Sequence, residues 1–139
     1  MFEKFDSYLF DFLDENSSED FWYDYAFMQA QELLANFTDE DWEKLAYNLK
    51  DKSDVYKIRL VYCIDEDNGM NGFNLLLDLL NENNKVVEYV IDSLRSFNSE
   101  RYKKLINSNK QIKDKVEALL KNASLPIKMI LEAFLKQNK

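Results

Sequence analysis

Apolar residues return at three- and four-residue steps along most of the chain, and short polar clusters rather than glycine or proline interrupt them. That period is the signature of amphipathic α-helices. Phe2, Phe5, Leu9, Phe12 and Leu13 define a first helix over residues 2–13. A second is predicted over 19–35, with Ser18 as its N-cap, Glu19 and Asp20 complementing its dipole, and Phe21, Trp22, Tyr23, Tyr25 and Phe27 in its body. Thr38-Asp39-Glu40-Asp41-Trp42 is a strong helix start, with Thr38 as cap and Phe37 placed to staple onto Trp42. This third helix continues through Leu45 and Leu49.

Ser53 starts a fourth helix, in which Tyr56, Leu60, Cys63 and Ile64 keep the period until the polar run Asp65-Glu66-Asp67-Asn68-Gly69 stops it. A fifth covers 71–80. Its run Leu75-Leu76-Leu77-Asp78-Leu79-Leu80 is apolar on nearly all sides, which predicts burial. The sixth, over 85–97, turns Val86, Val87, Val90, Ile91 and Leu94 to one face; Ser99 caps a seventh, 110–121 forms an eighth, and Ser124-Leu125-Pro126 opens a ninth. The expectation is an all-α chain of about nine short helices in one domain over 1–139, stacked as antiparallel pairs. Within it, 38–67 and 68–98 are both helix pairs of about thirty residues, a HEAT-like spacing.

Composition sharpens this picture. Two Gly and one Pro in 139 residues leave few turns for a strand-rich fold. The lone Cys63, in the apolar run Leu60-Val61-Tyr62-Cys63-Ile64, fits a buried small hydrophobe in a reducing compartment. No run approaches bilayer-spanning length and the first residues lack the pattern of a secretory signal, so the expected address is the cytoplasm, with no membrane partner.

Chemistry is sparse. With no His, the commonest general base and the commonest transition-metal ligand are both missing, and neither a nucleophile elbow nor a phosphate-cradling Gly-rich loop occurs. The sequence is expected to encode no enzyme and to need no cofactor. The nearest approach to a metal motif is the calcium-loop-like stretch Asp67-Asn68-Gly69-Met70-Asn71-Gly72 with Asp78, which has Gly69 at a ligand position and is better explained as an inter-helix loop. A small enzyme using paired carboxylates would need a cleft that one sequence does not reveal.

Charge is the informative feature. The net charge is −8, yet residues 1–67 hold 18 acidic and 6 basic residues while 68–139 hold 8 and 12. The basic group Arg101, Lys103, Lys104, Lys110, Lys113, Lys115 and Lys121 has only Tyr102 beside it for stacking, so a solvated face is favoured over a nucleic-acid footprint. Through Glu43 there are 13 acidic residues and one basic one. Such a one-signed field lowers folding stability but speeds capture of an oppositely charged protein. The candidate partner-binding residues are Asp11, Asp14, Glu15, Glu19, Asp20, Asp24, Asp39, Glu40 and Asp41, with Trp22 or Tyr23 as an aromatic anchor, although aromatics at helical spacing are more often core. Opposite charge in the two halves leaves both a monomer and a dimer open.

Four stretches carry a family likeness. Phe37-Thr38-Asp39-Glu40-Asp41-Trp42-Glu43-Lys44-Leu45, Lys57-Ile58-Arg59-Leu60-Val61-Tyr62-Cys63-Ile64-Asp65, Leu76-Leu77-Asp78-Leu79-Leu80 and Val90-Ile91-Asp92-Ser93-Leu94-Arg95 together resemble small helical immunity proteins of bacterial contact-dependent growth inhibition and related polymorphic toxin systems. The resemblance spans about half the chain, and the Thr-x-x-Asp-Trp-x-x-Leu start is its most specific piece. It implies a cytoplasmic inhibitor that binds a cognate toxin domain, commonly a nuclease. It further implies Thr38 as a cap, Trp42 and Leu45 as core, and Arg59 as partner of Asp92 or another carboxylate. No toxin-binding residue carries over by position. The alternative is a helical-repeat adaptor or scaffold holding a partner that is not a toxin.

Overall fold

Polar side chains cap the starts of four of the described α-helices. In the computed structural model, which describes residues 1–13 and 19–139, Thr38 Oγ1 accepts from the Asp41 N–H at 3.2 Å and Asp41 Oδ2 accepts from the Thr38 N–H at 2.9 Å. This reciprocal pair satisfies donors that a helix N-terminus would otherwise leave orphaned. Ser53, Asn83 and Asn109 accept from the backbone N–H groups of Tyr56, Val86 and Ile112 in the same way. The two asparagines start helices that sequence periodicity locates only to within a residue or two. Ser18, expected to cap the second helix, lies outside the described residues.

The described residues are all-α and hold no strand. Their helices are α1 (Phe2–Phe10), α2 (Glu19–Phe21), α3 (Phe27–Ala35), α4 (Asp39–Leu49), α5 (Asp54–Cys63), α6 (Gly69–Asp78), α7 (Asn84–Leu94), α8 (Glu100–Asn107), α9 (Lys110–Leu120) and α10 (Leu125–Gln137). A π-helical turn, Trp22–Ala26, joins α2 to α3, while 3₁₀ turns occupy Glu66–Asn68 and Leu79–Asn81. The second predicted helix is thus one stretch over 19–35 interrupted by a π turn. Among the described residues no helix is long and apolar enough to cross a membrane.

Contacts gather into two compact units, Met1–Gly72 and Phe73–Lys139. In the first, α1 packs on α3, α4 and α5, and α3 packs on α5. The main contacts of α4 are therefore with α1, the first helix of the unit, and not with its neighbours in sequence. Phe5, Leu9, Trp22, Leu45 and Leu60 fill the core. The expected staple is present, with Phe37 and Trp42 ring centroids 5.2 Å apart. In the second unit, α7 packs on α9, α10 and the Leu79–Asn81 turn around Val90, Ile91, Phe97, Ile112 and Phe134. The leucine run is buried on one side: Leu75, Leu76, Leu79 and Leu80 are buried, while Leu77 is half-buried and Asp78 faces solvent.

The calcium-loop-like stretch is not a loop. Glu66–Asn68 is a 3₁₀ turn and Gly69–Asp78 is helix, so Asp67 and Asp78 belong to separate helical segments and do not bracket an open ligand loop. Among the described residues no group of three His, Cys, Asp or Glu side chains is arranged to hold a metal ion. Gly69 has φ 65° and ψ −153°, backbone that glycine alone adopts readily. Gly69→Ala is therefore expected to lower unfolding free energy by about 1–3 kcal/mol. Urea denaturation at neutral pH checks this, and a change below about 0.5 kcal/mol would show that the turn relaxes without strain.

Candidate functional site

The inward side of the 19–35 stretch is set by Trp22, Ala26, Ala30 and Leu34, all buried and each four residues from the next. Four-residue spacing does not stay on one face of a regular α-helix. Three such steps rotate a side chain by about 120° away from where the row began. The π turn absorbs one extra residue and takes back about 100° of that rotation, so Leu34 faces the same core as Trp22. The stretch therefore buries Trp22, Ala26, Ala30 and Leu34 along one narrow row and turns Phe21 and Tyr25 outward.

What faces outward is acidic and aromatic. Glu19, Asp20 and Asp24 are exposed, as are Phe21, Tyr25 and Met28 at 50%, 63% and 52% of their surface. Phe21 stacks on Phe12 at 6.1 Å between centroids and meets Tyr25 at 5.9 Å. Residues 19–35 contain no Lys or Arg. Asp20 and Asp24, four apart, repel each other by about 0.2–0.5 kcal/mol, the usual size for an exposed helical pair.

The other candidates divide. Asp11 is exposed just beyond α1, on a shallow depression lined by Glu3, Lys4, Ser7 and Tyr8. Asp14 and Glu15 lie outside the described residues. Asp39 and Glu40 are exposed in the first turn of α4, where the helix dipole gives their charge a structural use. Asp39 Oδ1 also accepts from Asn71 Nδ2 at 2.8 Å, and Glu40 lies 3.7 Å from Lys44 Nζ. Tyr23 is half-buried with its ring 4.8 Å from that of Tyr62.

Two candidates are corrected. Trp22 is 0% exposed, because the π turn rotates it into the core, and it offers no anchor at the surface. Asp41 is 7% exposed, its carboxylate committed to the N–H groups of Thr38 and, at 3.1 Å, of Phe2. The Thr38 N–H bond is the main reason the Asp41 carboxyl sits at about 2, below its ordinary 3.8; Phe2 adds to it and burial opposes it.

A carboxyl whose folded-state value is depressed contributes stability fully present above the unfolded value and lost as pH falls through the folded one. Wild-type stability is thus expected to decline from about pH 4 toward pH 2. Asp41→Asn is expected to be weaker by about 1 kcal/mol at pH 7 and flatter across that window. Denaturation midpoints at a series of pH values test the assignment, which fails if both proteins lose stability in parallel.

The resemblance implies a carboxylate partner for Arg59, Asp92 or another, and the structure gives it a different neighbour. The Arg59 guanidinium lies 5.3 Å from the centroid of the Trp22 ring, 6% exposed, and Asp92 pairs with Arg95 at 3.1 Å. Arg59 Nη1 and Trp22 Nε1 have no hydrogen-bond partner among the described residues. A flat guanidinium over an indole face is a favourable arrangement for a desolvated cation. Cys63 is buried as expected: its Sγ donates to the Arg59 carbonyl at 3.2 Å, and burial pushes the thiol well above its ordinary range, away from the reactive thiolate.

In the second unit, Glu88, Tyr89, Asp92, Ile127 and Ile130 line a recess of about 110 Å³. That is too small for a cofactor-sized ligand. Compared with known proteins, the chain matches no family model, no curated protein and no solved structure.

Proposed function

We propose that this chain is an immunity protein that neutralises a cognate bacterial toxin domain, commonly a basic nuclease, by covering it with an acidic surface. The observation that carries the reading is the outward face over residues 19–35, which presents carboxylates and aromatic rings and holds no cation. Nuclease domains bind polyanions and tend to be basic, so carboxylates substitute for phosphates at their Lys and Arg side chains. The likeness of the four stretches to immunity proteins of contact-dependent growth inhibition points the same way. The chain acts in the cytoplasm, performs no chemistry of its own and binds neither nucleic acid nor membrane. Glu19, Asp20 and Asp24 meet the toxin directly, and Asp11, Asp39 and Glu40 add to the field that steers it.

The test is co-expression with the toxic C-terminal domain encoded beside this gene, scoring survival and co-purification. Rescue is expected, with an association rate that falls as salt screens the field. Failure of both rescue and co-purification overturns the reading. A helical scaffold for a partner that is not a toxin is the second reading. Leu125 and Met129 favour it, being 72% and 63% exposed one turn apart on α10.

A further inference from the structure

Exposed large apolar side chains occur at several places, and their surroundings separate them. Tyr47 is 72% exposed but has Lys50 Nζ 4.7 Å from its ring centroid. Leu125 and Met129 flank Lys128, which pairs with Glu132 at 3.9 Å, so both charge signs border that patch and its charge does not narrow the class of partner. Phe21, Tyr25 and Met28 differ. They follow one another at four- and three-residue steps, two of them in ring contact, and the residues between and beside them include Asp20 and Asp24 but no cation. The Phe12 and Tyr25 ring contacts cover only part of Phe21, and apolar side chains left half-exposed and rimmed by one sign of charge are the composition of a protein-binding surface.

We infer that Phe21, Tyr25 and Met28 are the anchoring row by which this chain holds a protein partner presenting an apolar recess rimmed by lysine or arginine. The charge fixes the occupant's class. Nucleic acid and anionic membrane would both be repelled by Asp20 and Asp24, and a second copy docked through the same face would bring these carboxylates against themselves. The inference deepens the immunity reading by naming the anchors, and on that reading the basic-rimmed partner is the toxin. Aromatic and Met side chains in a desolvated recess supply affinity, while the flanking carboxylates supply encounter rate and register. The buried Trp22 contributes only by keeping this row outward.

The test uses the full chain and the variant Phe21→Ser/Tyr25→Ser/Met28→Ser, whose circular dichroism should match wild type while its Tm falls by several degrees through loss of the Phe21 ring contacts, so binding is compared at a temperature where both are folded. Two probes are titrated by calorimetry: the toxin domain encoded beside the gene, and a synthetic amphipathic helix with leucine on one face and lysine on the other. The triple variant should bind the toxin domain on the order of a hundredfold more weakly and the leucine–lysine peptide about tenfold more weakly. Asp20→Asn/Asp24→Asn should slow association while changing dissociation little.

Equal binding of wild type and triple variant to either probe overturns the anchoring row, and for the toxin domain it does so without touching the immunity reading. Binding of the peptide but not the toxin domain, abolished in the triple variant, keeps the row and removes the immunity reading. If wild type binds neither probe, both fall. Self-association of wild type in sedimentation that the triple variant lacks would make a second copy the occupant and overturn the partner assigned here.

Discussion

Replacing Trp22 with alanine is expected to lower the unfolding free energy by about 3–5 kcal/mol, a large share of the roughly 5–15 kcal/mol that stabilises a domain of this size. Three effects coincide. The indole is fully buried, so its removal forfeits transfer energy and leaves a cavity. Its ring centroid lies 5.7 Å from that of Phe12, and the substitution abolishes this aromatic pair. The Arg59 guanidinium, 6% exposed, would then lie over a void in place of a π face. Urea denaturation followed by far-UV circular dichroism measures the change. Phe10→Ala is the control, since Phe10 is 73% exposed and the change should stay within about 0.5 kcal/mol. A Trp22→Ala effect no larger than the control's would mean that the indole is not the centre of this unit.

Phe97 holds the corresponding place in the second unit. It sits beyond the end of α7, fully buried, with ring centroids 5.4 Å from Phe73 and 5.0 Å from Tyr102. Phe73 and Tyr102 also meet, at 5.3 Å, so the three rings close a triangle. Phe97→Ala is expected to lower stability by about 3–5 kcal/mol. A double-mutant cycle with Tyr102→Leu should return a coupling of about 0.5–1.5 kcal/mol beyond simple burial. Additive changes would show that the edge-on geometry adds nothing to the area buried.

Helix positions are legible in the sequence because caps and the 3.6-residue period are local. Thr38, Ser53 and Ser124 stand at the starts predicted for them, and four of the five leucines of the run 75–80 are buried, Leu77 being half-buried and Asp78 exposed. The site is only half legible. Counting charge locates the acidic segment, and Glu19, Asp20 and Asp24 are indeed exposed. Counting does not tell a carboxylate facing solvent from one folded back on its own helix start, as Asp41 is. Nor does helical periodicity sort the aromatics. A regular helix register gives no reason to place Trp22 inside and Phe21 and Tyr25 outside, because the signal is the unusual run of apolar positions at strict four-residue intervals from Trp22 to Leu34. That run fits one face only with the wider turn at Trp22–Ala26. Arg59 escapes for a related reason: among the described residues its neighbour is the Trp22 ring, 37 positions away in sequence.

The wide turn also separates the history of the outer face from that of the core. A π turn is geometrically a one-residue insertion in an otherwise regular helix. Deleting a residue such as Tyr25 would let the stretch rewind as an unbroken α-helix with Trp22, Ala30 and Leu34 still facing inward, since the rotation given back by the turn equals the rotation of the residue removed. The interior is therefore indifferent to whether that residue exists. Its presence matters only to the side chains that point away, so this helix can acquire or discard a contact residue in a single mutational step and keep the fold beneath it.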